Sequence, residues 1–233
     1  MKKLSICAIA AAVVSLCAAG SASAAVISLN FEGINATYPS GYAFINDFYN
    51  GGMSSDGTTG TNFGIGFSSN AQAICLNSLT VNCSHTSRGG LAPGSDKGGL
   101  FFLSGAQTFM NVAAGFDTGF SFNYSSASFA GAVNVYDGLN GTGNILAVLN
   151  LVPNAGSCPG YSARFCPFSA QGVAFSGTAM SVGFAGVANQ IVFDDVTFGS
   201  VSPNPVPEPE TYALMLAGLA TVAAITRRRK ASV

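Results

Sequence analysis

The sequence predicts an all-β protein, a jelly-roll-like antiparallel β-sandwich, from three observations. Short runs that alternate apolar and polar residues recur through the middle of the chain, glycine-rich turns separate them, and residues 25–200 contain no convincing amphipathic helix. The chain has 233 residues, of which 29 are glycine and 18 are phenylalanine. Regularly spaced short strands with turns of this kind are typical of sandwiches.

Nine strands follow from these runs. They are predicted at residues 26–31, 63–67, 100–103, 119–124, 132–136, 145–149, 172–175, 180–184 and 190–198. The stretch DGLNGTG at 137–143 lies between two of the runs and predicts a hairpin loop.

The N-terminus has the layout of a secretory signal peptide. Two lysines at positions 2 and 3 precede an apolar run, and the small residues Ala22-Ser23-Ala24 end it. This order predicts a signal peptide at 1–24, with cleavage after Ala24 or one residue later. The alternative is an uncleaved membrane anchor. The predicted ectodomain is then the β-sandwich at 25–202.

Charge is scarce in the ectodomain and its balance is negative. Only 8% of the chain is charged, and residues 25–202 hold three cations against eight acids, a net charge of −5. Nucleic-acid binding needs clustered lysine and arginine to neutralise phosphates. The sequence therefore predicts no nucleic-acid partner.

Four cysteines remain after removal of the signal peptide, in two pairs of equal spacing. They are Cys75 and Cys83, and Cys158 and Cys166. Export places them in an oxidising compartment, and short loops are the easiest to close, which favours the two local disulfides. Four cysteines allow three connectivities, and free thiols or a metal site are further alternatives. A metal site is disfavoured because the chain has no CxxC motif and only one histidine.

The C-terminus combines three ordered features. Prolines make residues 203–210 a stiff linker, residues 212–225 are apolar or small apart from Thr221, and Arg227, Arg228, Arg229 and Lys230 follow. We expect a single C-terminal membrane helix within 211–233. At 1.5 Å per residue the apolar run reaches roughly 21 Å, short of a hydrocarbon core of about 30 Å. The cations orient it with the tail cytoplasmic and the body outside. A buried core helix with a basic tail is the alternative.

This tail resembles the PEP-CTERM sorting signal of exported Gram-negative bacterial proteins. The resemblance is carried by Val206, Pro207, Glu208, Pro209 and Glu210, followed by the apolar segment and the arginine cluster. It implies that exosortase, a membrane-embedded transpeptidase-like enzyme with a catalytic cysteine, is the partner and cuts near the Pro-Glu-Pro motif. It further implies an inner-membrane-anchored precursor and a product at the cell surface or outside the cell.

The body is similar to an uncharacterised β-rich surface family among these proteins. The stretches FDTGFSFNYSS, VNVYDGLNGTGNILAVLNL and VAFSGTAMSVGFAGVANQIVFDDVTFGS carry this similarity over roughly residues 100–200. It implies association with biofilm and exopolysaccharide. It indicates that the proteins are related, but it implies no particular biochemical activity.

Catalytic constellations are weak, and the sequence predicts no enzyme. The one histidine, His85, lies in a cysteine-containing loop, and no G-x-S-x-G motif accompanies it. Asp194 and Asp195 are paired carboxylates, but strand neighbours point to opposite faces unless a bulge intervenes. We therefore predict no catalytic residue.

Calcium binding is a stronger hypothesis for these acidic residues than catalysis. Phe31-Glu32-Gly33 and Asp194-Asp195-Val196 resemble the first and last strands of carbohydrate-binding jelly rolls, where carboxylates hold a structural Ca²⁺. The resemblance implies Glu32 and Asp195 as ligands, with backbone carbonyls completing the six to eight oxygens that Ca²⁺ needs. The alternative is a strand-end carboxylate that faces water or caps a turn. We expect no other cofactor.

Two hypotheses for function follow from the sequence. One is a non-enzymatic surface or matrix protein, and the alternative is a secreted carbohydrate-binding module with structural calcium. For sugar contact, Tyr38, Tyr42 and Tyr49 cluster in one segment, although such tyrosines also serve as partial lids on a core. The absence of tryptophan weakens the case for a stacking surface.

Overall fold

The computed structural model of the protein is a sandwich of two antiparallel sheets. It describes residues 26–36, 42–76, 97–156, 165–203 and 219. The described strands, in chain order, are β1 (Ile27–Leu29), β2 (Tyr42–Phe44), β3 (Ile65–Phe67), β4 (Ala71–Cys75), β5 (Gly98–Phe102), β6 (Gln107–Phe116), β7 (Gly119–Ser126), β8 (Gly131–Tyr136), β9 (Ile145–Leu151), β10 (Ser169–Ala174), β11 (Ala179–Ala185) and β12 (Ile191–Phe198).

The two sheets differ in size. The larger has seven strands in the order β10-β7-β12-β5-β4-β2, with β1 also pairing with β12. The smaller has five strands in the order β3-β6-β11-β8-β9. This confirms the all-β class and the antiparallel sandwich. The jelly-roll subtype stays a prediction.

Aromatic side chains fill the space between the sheets. Phe120, Phe122 and Tyr124 alternate along β7 and point into the core, as the period-two pattern requires. Phe193 of β12 meets Phe184 of β11 across the core with ring centroids 4.8 Å apart. The abundance of phenylalanine is therefore a packing requirement, because each buried ring removes a large apolar area from water.

A second, smaller apolar cluster covers part of the outer face of the larger sheet. It contains Ile74, Leu76, Phe101, Phe165 and Val192. Ile74, Phe101 and Val192 are neighbours of core residues on β4, β5 and β12, so these strands are buried on both faces there.

Each of the nine predicted runs overlaps a strand, but three of the described strands, β2, β4 and β6, were not predicted. β4 is buried at every position, so it shows no alternation, and β2 is only three residues long. β6 alternates until its Ala-Ala-Gly stretch, where Gly115 has a left-handed φ of 74°. The predicted hairpin loop is confirmed between β8 and β9.

Several predictions fall on other parts of the chain. The signal peptide, the Pro-Glu-Pro linker beyond Pro203 and the C-terminal helix lie outside the described residues, apart from the helical Leu219. Within the part of the chain that is described, no helix has both the length and the apolar character needed to cross a membrane.

Candidate functional site

The chain leaves the body through a short ordered stretch, residues 199–203, which we call the exit segment. Gly199 follows β12 with a left-handed φ of 82° and donates its N–H to the carbonyl of Gly119 over 2.9 Å. The hydroxyl of Ser200 accepts the Ser202 N–H over 3.1 Å and donates to the Ser202 carbonyl over 3.0 Å. The exit segment is therefore part of the folded body.

Two glycines make room for the exit segment on the outer face of the larger sheet. A Cβ built on Gly172 of β10 would lie 2.0 Å from the carbonyl oxygen of Val201. A Cβ on Gly119 of β7 would lie 2.8 Å from the Val201 Cγ1 and 3.0 Å from the Ser200 carbonyl carbon. No side chain fits at either position, so the exit segment lies directly on the backbone of β7 and β10.

Both ends of the body emerge side by side. Ile27 at the start of β1 pairs with Phe198 at the end of β12. The first described strand therefore begins beside the end of the last one. The predicted sorting residues Val206 to Glu210 and the cations Arg227 to Lys230 lie beyond the described residues.

Glu32 caps the start of β5. Its Oε1 accepts the backbone N–H groups of Lys97 over 2.6 Å and Gly98 over 2.5 Å. Gly98 also lies against the Phe31 carbonyl, where a Cβ would come within 2.2 Å of the oxygen. The carboxylate thus ties the turn after β1 to the first residues of β5.

Asp195 lies in a β-bulge of β12, directly after Asp194. Asp194 pairs with Asn123 and Thr197 with Ser121, so two residues of β12 face one residue of β7. Asp195 has a left-handed φ of 49°, and its Oδ2 accepts the Asn123 amide over 3.0 Å. From the sequence, the two acids were expected to point to opposite faces of the sheet unless a bulge intervenes, and a bulge is present. Both carboxylates are buried, however, so neither is open to a substrate.

Calcium binding at Glu32 and Asp195 stays a prediction. Among the described residues, no group of three or more His, Cys, Asp or Glu side chains is arranged to hold a metal. Glu32 accepts backbone N–H groups, and the buried Asp195 accepts the Asn123 amide. His85 lies outside the described residues.

The predicted tyrosine cluster does not form one surface. Tyr49 is buried, and its hydroxyl accepts the Phe31 N–H over 3.1 Å, so it is a lid on the core. Tyr42 is 43% exposed and packs edge-on against Phe101 with ring centroids 5.7 Å apart. Tyr38 lies outside the described residues. Using Tyr49 for sugar contact is therefore wrong, because its ring and its hydroxyl face inward.

Cys75 and Cys166 are both buried and disulfide-bonded. Cys83 and Cys158 lie outside the described residues, so the local pairing stays a prediction.

The hairpin loop between β8 and β9 is held by a carboxylate that the sequence did not single out. Asp137 accepts the Asn144 backbone N–H over 2.6 Å and the Asn144 side-chain amide over 2.8 Å. The Asn144 side-chain bond, followed by the backbone bond, holds the pKa of Asp137 below its ordinary value. The loop also bonds to the smaller sheet: the hydroxyl of Ser181 donates to the Gly138 carbonyl and accepts the Gly141 N–H.

Comparisons with known proteins identify the tail. Residues 205–230 match the family described as the PEP-CTERM protein-sorting motif. No curated protein matches the chain.

Two solved structures are similar to parts of the chain. A glycoside hydrolase family 43 arabinoxylan arabinofuranohydrolase from Bacillus subtilis, solved with cellotetraose, shows 22% identity and a TM-score of 0.33, over 46% of this chain and 22% of that one. The chain thus spans about a fifth of that hydrolase's length. The K2 cleaved adhesin domain of Lys-gingipain shows 13% identity and a TM-score of 0.40, over 75% of this chain and 99% of that one. Similarity at this level carries no argument about function.

The motif match indicates an exported protein that is delivered to the cell surface with exosortase as its processing enzyme. In this chain the motif begins two residues after the exit segment of a β-sandwich body. The chain carries a PEP-CTERM protein-sorting motif at residues 205–230.

Proposed function

We propose that this protein is a non-enzymatic component of the cell surface or biofilm matrix. An inner-membrane-anchored precursor is cut by exosortase near Pro207-Glu208-Pro209, and the β-sandwich body then associates with exopolysaccharide. The observation that carries the proposal is the sorting motif at 205–230.

The geometry of the body supports processing at that point. The last strand ends at Phe198 and the exit segment ends at Pro203, so a cut near Pro207 removes no described strand. Because β1 and β12 pair at the same end, the released body keeps both of its terminal strands.

The test is mass spectrometry of the full chain produced in cells with active exosortase or with its catalytic cysteine replaced. We expect a product that ends near the Pro-Glu-Pro motif in the first strain and an uncut precursor in the second. Glu208→Ala should reduce processing, whereas Pro203→Ala, outside the matched residues, should not. Surface protein with an intact C-terminus would contradict the proposal.

The second candidate, a carbohydrate-binding module, is favoured by one feature: the strands of the smaller sheet contain no Asp, Glu, Lys, Arg or His. Structural calcium at Glu32 and Asp195 belongs to this candidate. Its test is thermal unfolding of the exported protein with and without a chelator, where an unchanged midpoint argues against a calcium site.

A further inference from the structure

The smaller sheet presents an outer face without charged side chains. Its strands read IGF, QTFMNVAAGF, GAVNVY, ILAVLNL and AMSVGFA, and none contains Asp, Glu, Lys, Arg or His. Met110, Val133 and Val182 point into the core, so their neighbours along each strand point outward. The outer face therefore consists of amide, hydroxyl, aromatic and apolar groups, among them Val148, which pairs with Asn134 and is 49% exposed.

Two aromatic rings lie across the middle of this face. Gly183 of β11 pairs with Phe109 of β6 on one side and with Asn134 of β8 on the other. A Cβ at Gly183 would lie 3.0 Å from the Phe109 ring and 3.3 Å from the Tyr136 ring. The two rings thus close over the glycine, with centroids 6.5 Å apart and planes at 65°. Both rings are half-buried, and the Phe109 ring also packs against the hairpin loop, where a Cβ on Gly141 would lie 2.7 Å from its Cζ.

Amide side chains border the rings. Asn134 lies beside Gly183, Gln107 pairs with Ala185 of β11, and Asn150 of β9 pairs with Ala132. Asn111 is held by a reciprocal pair of bonds with Asn140 of the hairpin loop, over 2.8 and 2.7 Å. The hairpin loop thereby covers one end of the face, including one side of the Phe109 ring. Gln107 and Asn150 are exposed toward the other end, and Asn134 is half-buried between them.

From this arrangement we propose that the outer face of the smaller sheet binds a neutral polysaccharide, a step that rests on the proposed matrix association. Amides both donate and accept hydrogen bonds, as sugar hydroxyls do, and the half-buried ring of Tyr136 offers apolar surface to the C–H faces of sugar rings. Four adjacent strands make a platform roughly 14 Å wide, at about 4.8 Å between strands.

The charge and polarity of the face select this partner over others. A charged polymer gains its affinity from opposite charges, and these strands have none. A permanent protein interface has a mainly apolar core, whereas amides buried without partners are costly. A polymer rich in hydroxyl groups forms hydrogen bonds with the amides and at the same time covers the Tyr136 ring.

The experiment measures retention of the exported protein on three polymers: neutral polysaccharide from the producing cells, cellulose, and anionic alginate. We expect retention on a neutral polymer that changes little with salt concentration. Tyr136→Ala and Asn134→Ala should each weaken it by about tenfold. Phe129→Ala is the matched control, because Phe129 is 47% exposed in the β7–β8 connection and should leave binding unchanged.

Asn134→Ala removes no core side chain, so it tests the surface even if Tyr136→Ala impairs folding. Retention on alginate alone, equal retention of all variants, or no retention on any polymer would overturn the inference. Mass spectrometry of the same samples keeps this result separate from the proposed function. A correctly cleaved surface protein that binds nothing refutes only the polysaccharide face, and an uncut precursor refutes the processing.

Discussion

At the scale of single residues, Glu32 shows how a chain with few charges uses them. One carboxylate oxygen accepts two adjacent backbone N–H groups at the start of β5. Hydrogen bonds to a charged acceptor are stronger than neutral ones, and a buried N–H without a partner is costly. Glu32 therefore stabilises the junction between β1 and β5.

We predict that Glu32→Ala lowers the free energy of unfolding by about 1–3 kcal/mol, because two N–H groups lose their acceptor. Glu32→Gln keeps a carbonyl oxygen at that position and should lose less. Urea unfolding of the exported protein measures both, and Asp117→Ala at an exposed turn serves as the control. Equal losses for the Ala and Gln variants would contradict this expectation and would mean that a neutral carbonyl oxygen cannot replace the carboxylate.

A comparable argument applies to Tyr49. Its hydroxyl accepts the N–H of Phe31, a residue with a left-handed φ of 56°. Tyr49→Phe should lower the free energy of unfolding by about 1–3 kcal/mol, because this buried N–H loses its acceptor. Tyr42→Phe, at a partly exposed ring, is the matched control and should change stability less. Thermal unfolding distinguishes them, and an unaffected Tyr49→Phe variant would show that the bond contributes nothing.

The sequence singled out Glu32, Asp195 and Tyr49, but it did not show what their side chains contact. The Phe-Glu and Asp-Asp-Val stretches drew attention to Glu32 and Asp195, and the structure gives both side chains defined partners. Those partners, Gly98 and Asn123, are 66 and 72 residues away in the chain. Local spacing cannot show such contacts, and it also cannot show that Tyr49 turns inward.

At the scale of elements, the β8–β9 hairpin loop depends on one ionised carboxylate. The bonds from Asn144 hold the pKa of Asp137 below its ordinary 3.8. A carboxyl whose folded pKa is lowered stabilises the fold above its unfolded pKa and loses that contribution as pH falls through the folded pKa. The loop should therefore keep its Asn144 bonds at pH 3.8 and lose them only in more acidic solution.

An NMR titration of the Asn144 amide checks this prediction. The expected midpoint lies below 3.8, and Asp137→Asn should remove the transition. A midpoint for Asp137 at or above the ordinary value would contradict the loop geometry.

The exit segment gives a second prediction for an element. Gly172→Val places a side chain where the Val201 carbonyl lies, so the exit segment should detach from β10. Limited proteolysis should then cut near residues 199–203 faster than in the wild type, because detached backbone is accessible to protease. Gly66→Val on β3, where a Cβ meets nothing within 4 Å, is the control. Equal cleavage rates would show that the glycines do not hold the segment.

Strand prediction succeeded wherever one face is buried and the other is polar, as in β7 and β8. It failed at β4, which is buried on both faces, and at β6, whose pattern breaks at Gly115. The exit segment had no signal of its own, because the glycines that receive it are 80 and 27 residues before Gly199. The uncharged face could be detected in the sequence only after the strands had been assigned to the smaller sheet.

At the scale of the whole molecule, the fold and the sorting signal are separable. The described strand pairings end at Phe198, and the exit segment that follows, residues 199–203, still contacts the body. Cleavage near the Pro-Glu-Pro motif lies beyond both. The signal therefore delivers the body without contributing to its described core.

This separation predicts the thermal behaviour of shortened chains. A protein ending at Pro205 should unfold at the same temperature as the full precursor, because no described contact is removed. A protein ending at Phe198 should unfold at a lower temperature, since it loses the bond from Gly199 to Gly119 and the cover over Gly119 and Gly172. Calorimetry of the three proteins in one detergent measures this order. A lower midpoint for the chain ending at Pro205 would show that the sorting segment supports the fold, and the body would then be destabilised by its own processing.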